Sequence, residues 1–505
     1  MTARTRSGES ATRKNSSAPS GMVQPSHRHS RVRRAGVFSI AALLLGGCAV
    51  GPNYQRPTTD VPPAYKESEN FKPAQPSDAM AKGKWWEVYS DPQLNSLEEQ
   101  ISVSDQSLKA AQERFLQARA ALRIARAGYY PNVSVGFSAA GTRQSQNRAL
   151  FGIGSPVTYA DYQLPVDVAY EPDVWGRVRR TVEASRSEVQ ASAADLANVQ
   201  LSLQAELALD YFQLRGLDSQ KQLLDSTVAA YEKALQLTQS RYQGGIASAV
   251  DVAQAQTQLE TTRAEDQDVE VQRAAFEHAV AVLIGKPPAE FSQPPSPLTG
   301  PPPAIPPGLP SELLERRPDI AAAERRVQEA NAQIGVAKSA YFPVFSITGA
   351  GGFESKAIGS LLTGPSGFWA LAGAAAETII DGGQRRGVSE QARAVYRQSV
   401  DNYRQTTLSA FQDVEDNLAA LRILEQEAKT QENAVAAAEH SLDLSNSRYR
   451  GGVASYLEVT TAQSAALGDE VTAVDILTRR VVASVLLIKA LGGGWNSSQI
   501  LNASR

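Results

Sequence analysis

The sequence predicts a mixed α and β protein built from two copies of one unit, and three observations predict it. The stretch "RYQGGIASAVDVAQAQ" (241–256) returns as "RYRGGVASYLEVTTAQ" (448–463), with nine of sixteen positions identical at an offset of 207 residues. Each copy is preceded by a helical run of about 67 residues, from about Gly176 to Tyr242 and from about Gly383 to Tyr449. Upstream of each run lie two segments of about ten residues with strand character. Four strands per chain cannot close a barrel, and an open edge in lipid leaves backbone groups unsatisfied. If these strands sit in a membrane, the chain must oligomerise.

The chain opens with a basic leader. Residues 1–47 carry eight Lys or Arg and one acidic residue, leaving 42 basic against 52 acidic residues from Cys48 onward. The apolar run "AGVFSIAALLLGG" (35–47) follows, too short to span a bilayer as a helix, where roughly 20 residues are needed. This is the layout of an export signal, with Met22 as the expected start because it gives a leader of ordinary size. Arg33-Arg34 lacks the spacing of a twin-arginine motif. Leu45-Gly46-Gly47-Cys48 resembles the lipobox of bacterial lipoproteins, which implies acylation of Cys48 and, with Ala49 rather than Asp next, an outer-membrane address. Cys48 is the only cysteine, so no intrachain disulfide can form.

Domain organisation follows the repeat: 1–47 the signal, 48–95 an anchored N-terminal segment, 96–290 the first repeat, 291–312 a crossover, 313–492 the second repeat and 493–505 a tail. In the first repeat, "YPNVSVGFSAA" (130–140) and "TYADYQLPVDVAYE" (158–171) read as strands. The second alternates, with Tyr162, Leu164, Val166, Val168 and Tyr170 on one face. In the second repeat the equivalents are 342–351 and 368–380, the latter also readable as a buried helix. Tyr129, Tyr130, Tyr170, Phe342 and Trp369 cluster toward segment ends, as interface girdles do.

The long runs step as coiled-coil seams: Leu224, Val228, Tyr231, Leu235, Thr238 and Tyr242 in one, and Val252 to Leu283 in the next, interrupted by Asp266 and Arg273. The shorter helices are expected at Ser248–Ile284 and Ser455–Leu491. Glycine pairs Gly244-Gly245 and Gly451-Gly452 separate long helix from short, and are expected to reverse the backbone with positive φ. Nine prolines between Pro294 and Pro310 make the crossover extended.

With these residues in place, "CAVGPNYQRP" (48–57), "WWEVYSDPQLNSL" (85–97), "LLERRPDIAAAERRVQEANAQIGVAKSAYFP" (313–343) and the doubled turn resemble the TolC-type outer-membrane efflux channels, in particular the lipoprotein branch that serves RND-type pumps. The resemblance covers essentially all of the chain after Cys48. It implies a homotrimer whose four strands per chain make a twelve-stranded transmembrane β-barrel, continued by a long α-helical barrel with a mixed equatorial belt. It also implies a periplasmic adaptor and an inner-membrane RND-type transporter as partners. In that family the second-repeat tips close the pore against the first-repeat tip. Tyr449 matches the family tyrosine, Asp251 its first-repeat acidic partner and Glu458 the first acidic ring position. Tyr242 is the first-repeat counterpart of Tyr449; Thr461 stands at the second ring position and Ala454 where a latch arginine is found, both departures from the pattern.

Enzyme chemistry has little footing. His27 and His29 lie in the leader, while His278 and His440 lack a second ligand at helical spacing, so no metal site is expected. "GAGG" (349–352) fails the dinucleotide fingerprint, and "LIGKPP" has Pro287 where a phosphate loop needs a hydroxyl residue. No cofactor is expected, and a net charge of −3 gives no nucleic-acid footprint. The leading expectation is a passive outer-membrane duct of a tripartite efflux system. The alternatives are a periplasmic coiled-coil structural lipoprotein and a TolC-type channel for type I protein secretion.

Overall fold

The computed structural model describes residues 49–67, 84–147, 157–306, 308 and 310–498. The chain divides after Cys48, and everything described belongs to the second unit, Ala49–Arg505; the signal and Cys48 lie outside the described residues.

A short helix α1 (Pro92–Ser104) starts on Asp91, whose carboxylate accepts from the Gln93 and Leu94 N–H groups, with Pro92 at the first helical position. The first repeat then runs α2 (Gln106–Ala127), β1 (Asn132–Val135), β2 (Ser138–Arg143), β3 (Thr158–Tyr170), α3 (Arg177–Gln243) and α4 (Ala249–Leu283). The second runs α5 (Pro318–Ser339), β4 (Val344–Ser355), β5 (Gly367–Ala376), α6 (Gln384–Arg450) and α7 (Tyr456–Ala490). The helices match pairwise in length: 22 residues for α2 and α5, 67 for α3 and α6, 35 for α4 and α7. At 1.5 Å per residue, α3 and α6 each extend about 100 Å.

All strands lie in one antiparallel sheet, ordered β1/β2, β3, β4, β5. The segment 368–380 is therefore a strand through Ala376 and not a buried helix. Register sorts the sheet into two faces. Val133, Val168, Gly349 and Leu371 form one row, and Val135, Val166, Gly351 and Trp369 the next, all on the same face. On the other face run Ser134, Asp167, Ala350 and Ala370. The first strand-like segment is split into β1 and β2 because Pro165 in β3 has no N–H to give; its carbonyl still accepts from Gly136 N–H at 3.0 Å.

Each long helix leaves the sheet through a glycine with positive φ, Gly176 at 82° and Gly383 at 92°, and an aspartate caps each first turn. Asp173 accepts from the Val178 and Arg179 N–H groups, Asp381 from those of Gly383 and Arg385. Along the seam Leu224, Tyr231, Thr238, Ala255, Leu259, Thr262 and Val269 are buried. The polar interruptions are paired across it, Asp266 with Lys221 at 3.0 Å and Arg273 with Asp218 at 2.7 Å.

The main core lies around the middle of the long helices, where α1 and the ends of α4 and α7 meet them: Leu94, Ile101, Leu207, Tyr211, Ile320, Leu418 and Ile488 are among its residues. Each such side chain contributes about 1.5–3 kcal/mol on burial. Two extended segments clamp this level through repeat-equivalent arginines. Arg215 donates to the Pro294 carbonyl of the crossover, and Arg422 pairs with Glu67 of the N-terminal strap, described over residues 49–67. The strap begins where Val50 N–H donates to the Trp175 carbonyl at 2.9 Å. It runs past Asn331, which donates to the Pro52 carbonyl, and past Glu324, which binds Tyr54. Further along, Glu415 accepts from the Lys66 and Glu67 N–H groups.

Glu98, on the apolar stripe of α1, is fully buried, and neither carboxylate oxygen has a hydrogen-bond partner among the described residues. Burial holds its carboxyl well above the usual carboxylate range. The unfolded chain releases this proton first, so stability falls as pH rises from the ordinary carboxylate value toward the raised native one, by about 1.4 kcal/mol per pH unit at most. Glu98→Gln is expected to be more stable than the parent at about pH 8, with the gap closing toward about pH 4. Denaturant titrations at the two pH values check this, and a pH-independent gap would mean that Glu98 ionises as it does in water.

Candidate functional site

At the far end of the long helices the two R-Y-x-G-G stretches form the same turn. Ile246 N–H donates to the Arg241 carbonyl and Gly245 N–H to that of Tyr242; Val453 and Gly452 repeat both bonds to Arg448 and Tyr449. These are Schellman closures, and they need one left-handed residue each. Gly245 (φ 75°) and Gly452 (φ 76°) supply it. Gly244 and Gly451 do not take positive φ, lying at −79° and −74° as helix caps. The expectation that both glycines of each pair reverse the chain holds only for the second.

The following helix starts differ. Ser248 and Asp251 make a capping box, the carboxylate accepting from Ser248 N–H at 2.8 Å and Ser248 Oγ accepting from Asp251 N–H at 3.2 Å. At the equivalent second-repeat position Glu458 makes no such box; its carboxylate lies 3.7 Å from the Arg448 guanidinium, both side chains half exposed. Asp251 is thus committed to its own backbone. It is not bonded to Tyr449, whose Oη is buried without a hydrogen-bond partner among the described residues.

Tyr449 is 8% exposed and packs edge-on against Tyr456 at 5.1 Å between ring centroids, over Ala255 and Val459. The Arg241 guanidinium sits 4.7 Å above the Tyr449 ring and donates to the Tyr449 carbonyl at 3.4 Å. This is a cation–π contact joining the first-repeat tip to the second. Burial pushes the Tyr456 phenol up to about 12. Tyr242, the counterpart of Tyr449, is 50% exposed. Thr461 is exposed, and its hydroxyl donates to the Leu457 carbonyl of its own helix at 2.8 Å. Sequence reasoning missed Arg241, Arg448 and Tyr456. The signal for the two arginines was present, since each directly precedes the tyrosine of its copy.

At the opposite end, Trp175 stacks on Phe342 at 4.8 Å and donates to the Pro343 carbonyl at 2.8 Å, directly below the sheet. Ala49 lies against Gly176 at this level. No cluster of three or more His, Cys, Asp or Glu that could hold a metal occurs among the described residues, and no described helix is long and apolar enough to cross a membrane.

Residues 97–286 and 309–493 match the profile of the family described as outer membrane efflux protein. The chain is 31% identical to the probable efflux pump outer membrane protein TtgC of Pseudomonas putida, over 91% of this chain and 95% of that protein. It is 32% identical to the outer membrane protein OprJ of Pseudomonas aeruginosa, over 94% of this chain and 99% of that one. The solved outer-membrane channel OprN superposes with a TM-score of 0.83 at 28% identity, covering 89% of this chain and 100% of that one.

Proposed function

Because the chain belongs to the outer membrane efflux protein family, we propose that three copies form a passive duct that carries small molecules such as drugs or other toxic compounds from the periplasm to the exterior. A periplasmic adaptor and an inner-membrane RND-type transporter supply the drive. The observation that carries this reading is the two-faced sheet whose outer edges are both unpaired among the described residues. Its Val, Leu and Trp face suits lipid and its small and polar face suits a water-filled lumen, as barrel strands alternate. Three copies bring twelve staves, an even number that lets every edge pair.

The helices support the same assembly. α5 is buried by α3 on one side and α6 on the other, whereas its counterpart α2 packs on α3 and leaves Leu116 and Ile124 exposed. A neighbouring copy covers α2 as α3 covers α5. Ile246, Val250, Val453 and Leu457 stand exposed at the tips and offer the adaptor apolar contacts.

Glu458 is the acidic residue of the second-repeat tip. Three copies place three carboxylates around the aperture, with Tyr449, Tyr242, Asp251 and Thr461 beside them, and such a ring favours cations. In planar bilayers the detergent-purified protein is expected to give discrete cation-preferring steps, with the preference reduced in Glu458→Gln. Silence from folded protein would overturn the duct, and an unchanged preference would remove Glu458 from the aperture.

Cys48 is the lipid attachment point in this reading. In support, the next residue, Ala49, lies against Gly176 beside the Trp175–Phe342 stack, and aromatic residues of this kind favour the membrane interface. Cys48→Ser is expected to lose the acyl mass by mass spectrometry while the sheet still assembles; an unmodified parent protein would reject lipidation.

A further inference from the structure

We infer that the seam between copies at the tip is closed by Arg448 of one copy lying over the ring of the partner's Tyr242. The inference rests on the trimer proposed above and names a contact within it. Inside one chain, first repeat meets second repeat at this level through Arg241 above Tyr449. The repeat-equivalent pair, at the offset of 207, is Arg448 and Tyr242. Both turns have the same closing bonds and the same glycine φ, so the arginine and tyrosine leave the backbone from equivalent places in each copy. In the single chain this second pair is unmatched: the Tyr242 ring is half exposed, and the Arg448 side chain is 58% exposed.

The same asymmetry recurs at the other end. Trp175 covers Phe342 and Phe345 within the chain. The repeat equivalent of Trp175 is Gly382, so Tyr130 and Val133, the counterparts of Phe342 and Phe345, stand uncovered, and Ile379 and Ile380 just before Gly382 are exposed as well. At both ends, the face that the first repeat covers on the second has an uncovered counterpart on the outer edge. A second copy related as the repeats are related satisfies both sets at once.

Chemistry favours the exchange. The salt bridge of Arg448 is with Glu458 at 3.7 Å, between two largely solvated side chains, and such pairs hold weakly. A tyrosine face at a seam that excludes water is the stronger partner for a guanidinium. Moving Arg448 onto the partner's ring releases Glu458, so a tightly assembled tip presents its carboxylates unpaired.

The test uses the full chain in detergent carrying Tyr242→Cys and Arg448→Cys together, treated with a short bismaleimide, beside each single variant and a light-scattering mass. Both side chains are exposed, so the substitutions leave the core intact. Linked dimers and trimers in the double variant alone are expected. A trimeric mass without such links rejects this contact and leaves the trimer standing; a monomeric mass overturns both. In bilayers, Tyr242→Leu is expected to lower cation preference toward that of Glu458→Gln, because Arg448 then stays on Glu458; an unchanged preference overturns the exchange.

Discussion

Asp218→Ala is expected to destabilise the protein by about 3–5 kcal/mol, the cost of leaving buried charges without their partner. The Asp218 side chain is 1% exposed and holds two guanidinium groups, Arg215 at 3.1 Å and Arg273 at 2.7 Å. It also accepts the Ser296 N–H at 2.8 Å. Arg273 reaches on to Glu277 and to the Gln293 carbonyl, and Arg215 to the Pro294 carbonyl. One carboxylate therefore ties α3, α4 and the proline-rich crossover together. Alanine removes the shared counter-charge while Arg215 stays buried and Arg273 mostly so. Asp218→Asn keeps an acceptor and should lose less. Denaturant midpoints of the three proteins decide the matter: a parent-like midpoint for the alanine variant would show that the network carries no net stability.

Gly352→Val is expected to abolish conducting channels. Gly352 pairs with Pro165 in register, and a Cβ there would overlap the Leu164 carbonyl oxygen and crowd the Pro165 Cα. Pro165 has no N–H to give on its other side, so β3 depends on β4 for its continuity at this height. Gly351 is the control. A Cβ there meets only ordinary contacts at 3.7 and 3.8 Å and points to the apolar face, so Gly351→Val should insert and conduct. Equal conduction by both variants would mean that β3 and β4 separate or shift at this point in the assembled barrel.

The helices were legible because their signals are local. A seam stepping by three and four, bounded by glycines, fixes both ends, and each long helix begins and ends within one residue of its expected limits. The alternation of β3 was legible for the same reason, and its register joins the expected apolar set to Val133, Val135, Trp369 and Leu371. Pro165 was visible, but its effect falls on the neighbouring strand, which no single-strand pattern records. The Arg241–Tyr449 contact spans 208 residues and depends on how two repeats dock. Spacing within either copy carries no trace of it. Asp251 carried two signals at once, a capping box with Ser248 and a match to a gate position, and the local hydrogen bonds took the carboxylate. Glu98 occupies an apolar-stripe position beside Leu94, Leu97 and Ile101, where periodicity says inside and charge says outside; periodicity prevailed.

The equal lengths of the paired helices restrict how this chain can change. One residue inserted into α3 alone would turn its tip by about 100° and lower it by 1.5 Å, while the α6 tip stayed in place. Arg241 would then face away from Tyr449, and in the proposed trimer the six hairpin ends around one axis would become three long and three short. An insertion that preserves the rim must therefore occur in both repeats at the same height, or come as about seven residues, two full turns, in each of four helices. Length variation in such a chain is expected in the sheet loops and the extended segments, and to be absent from the hairpins.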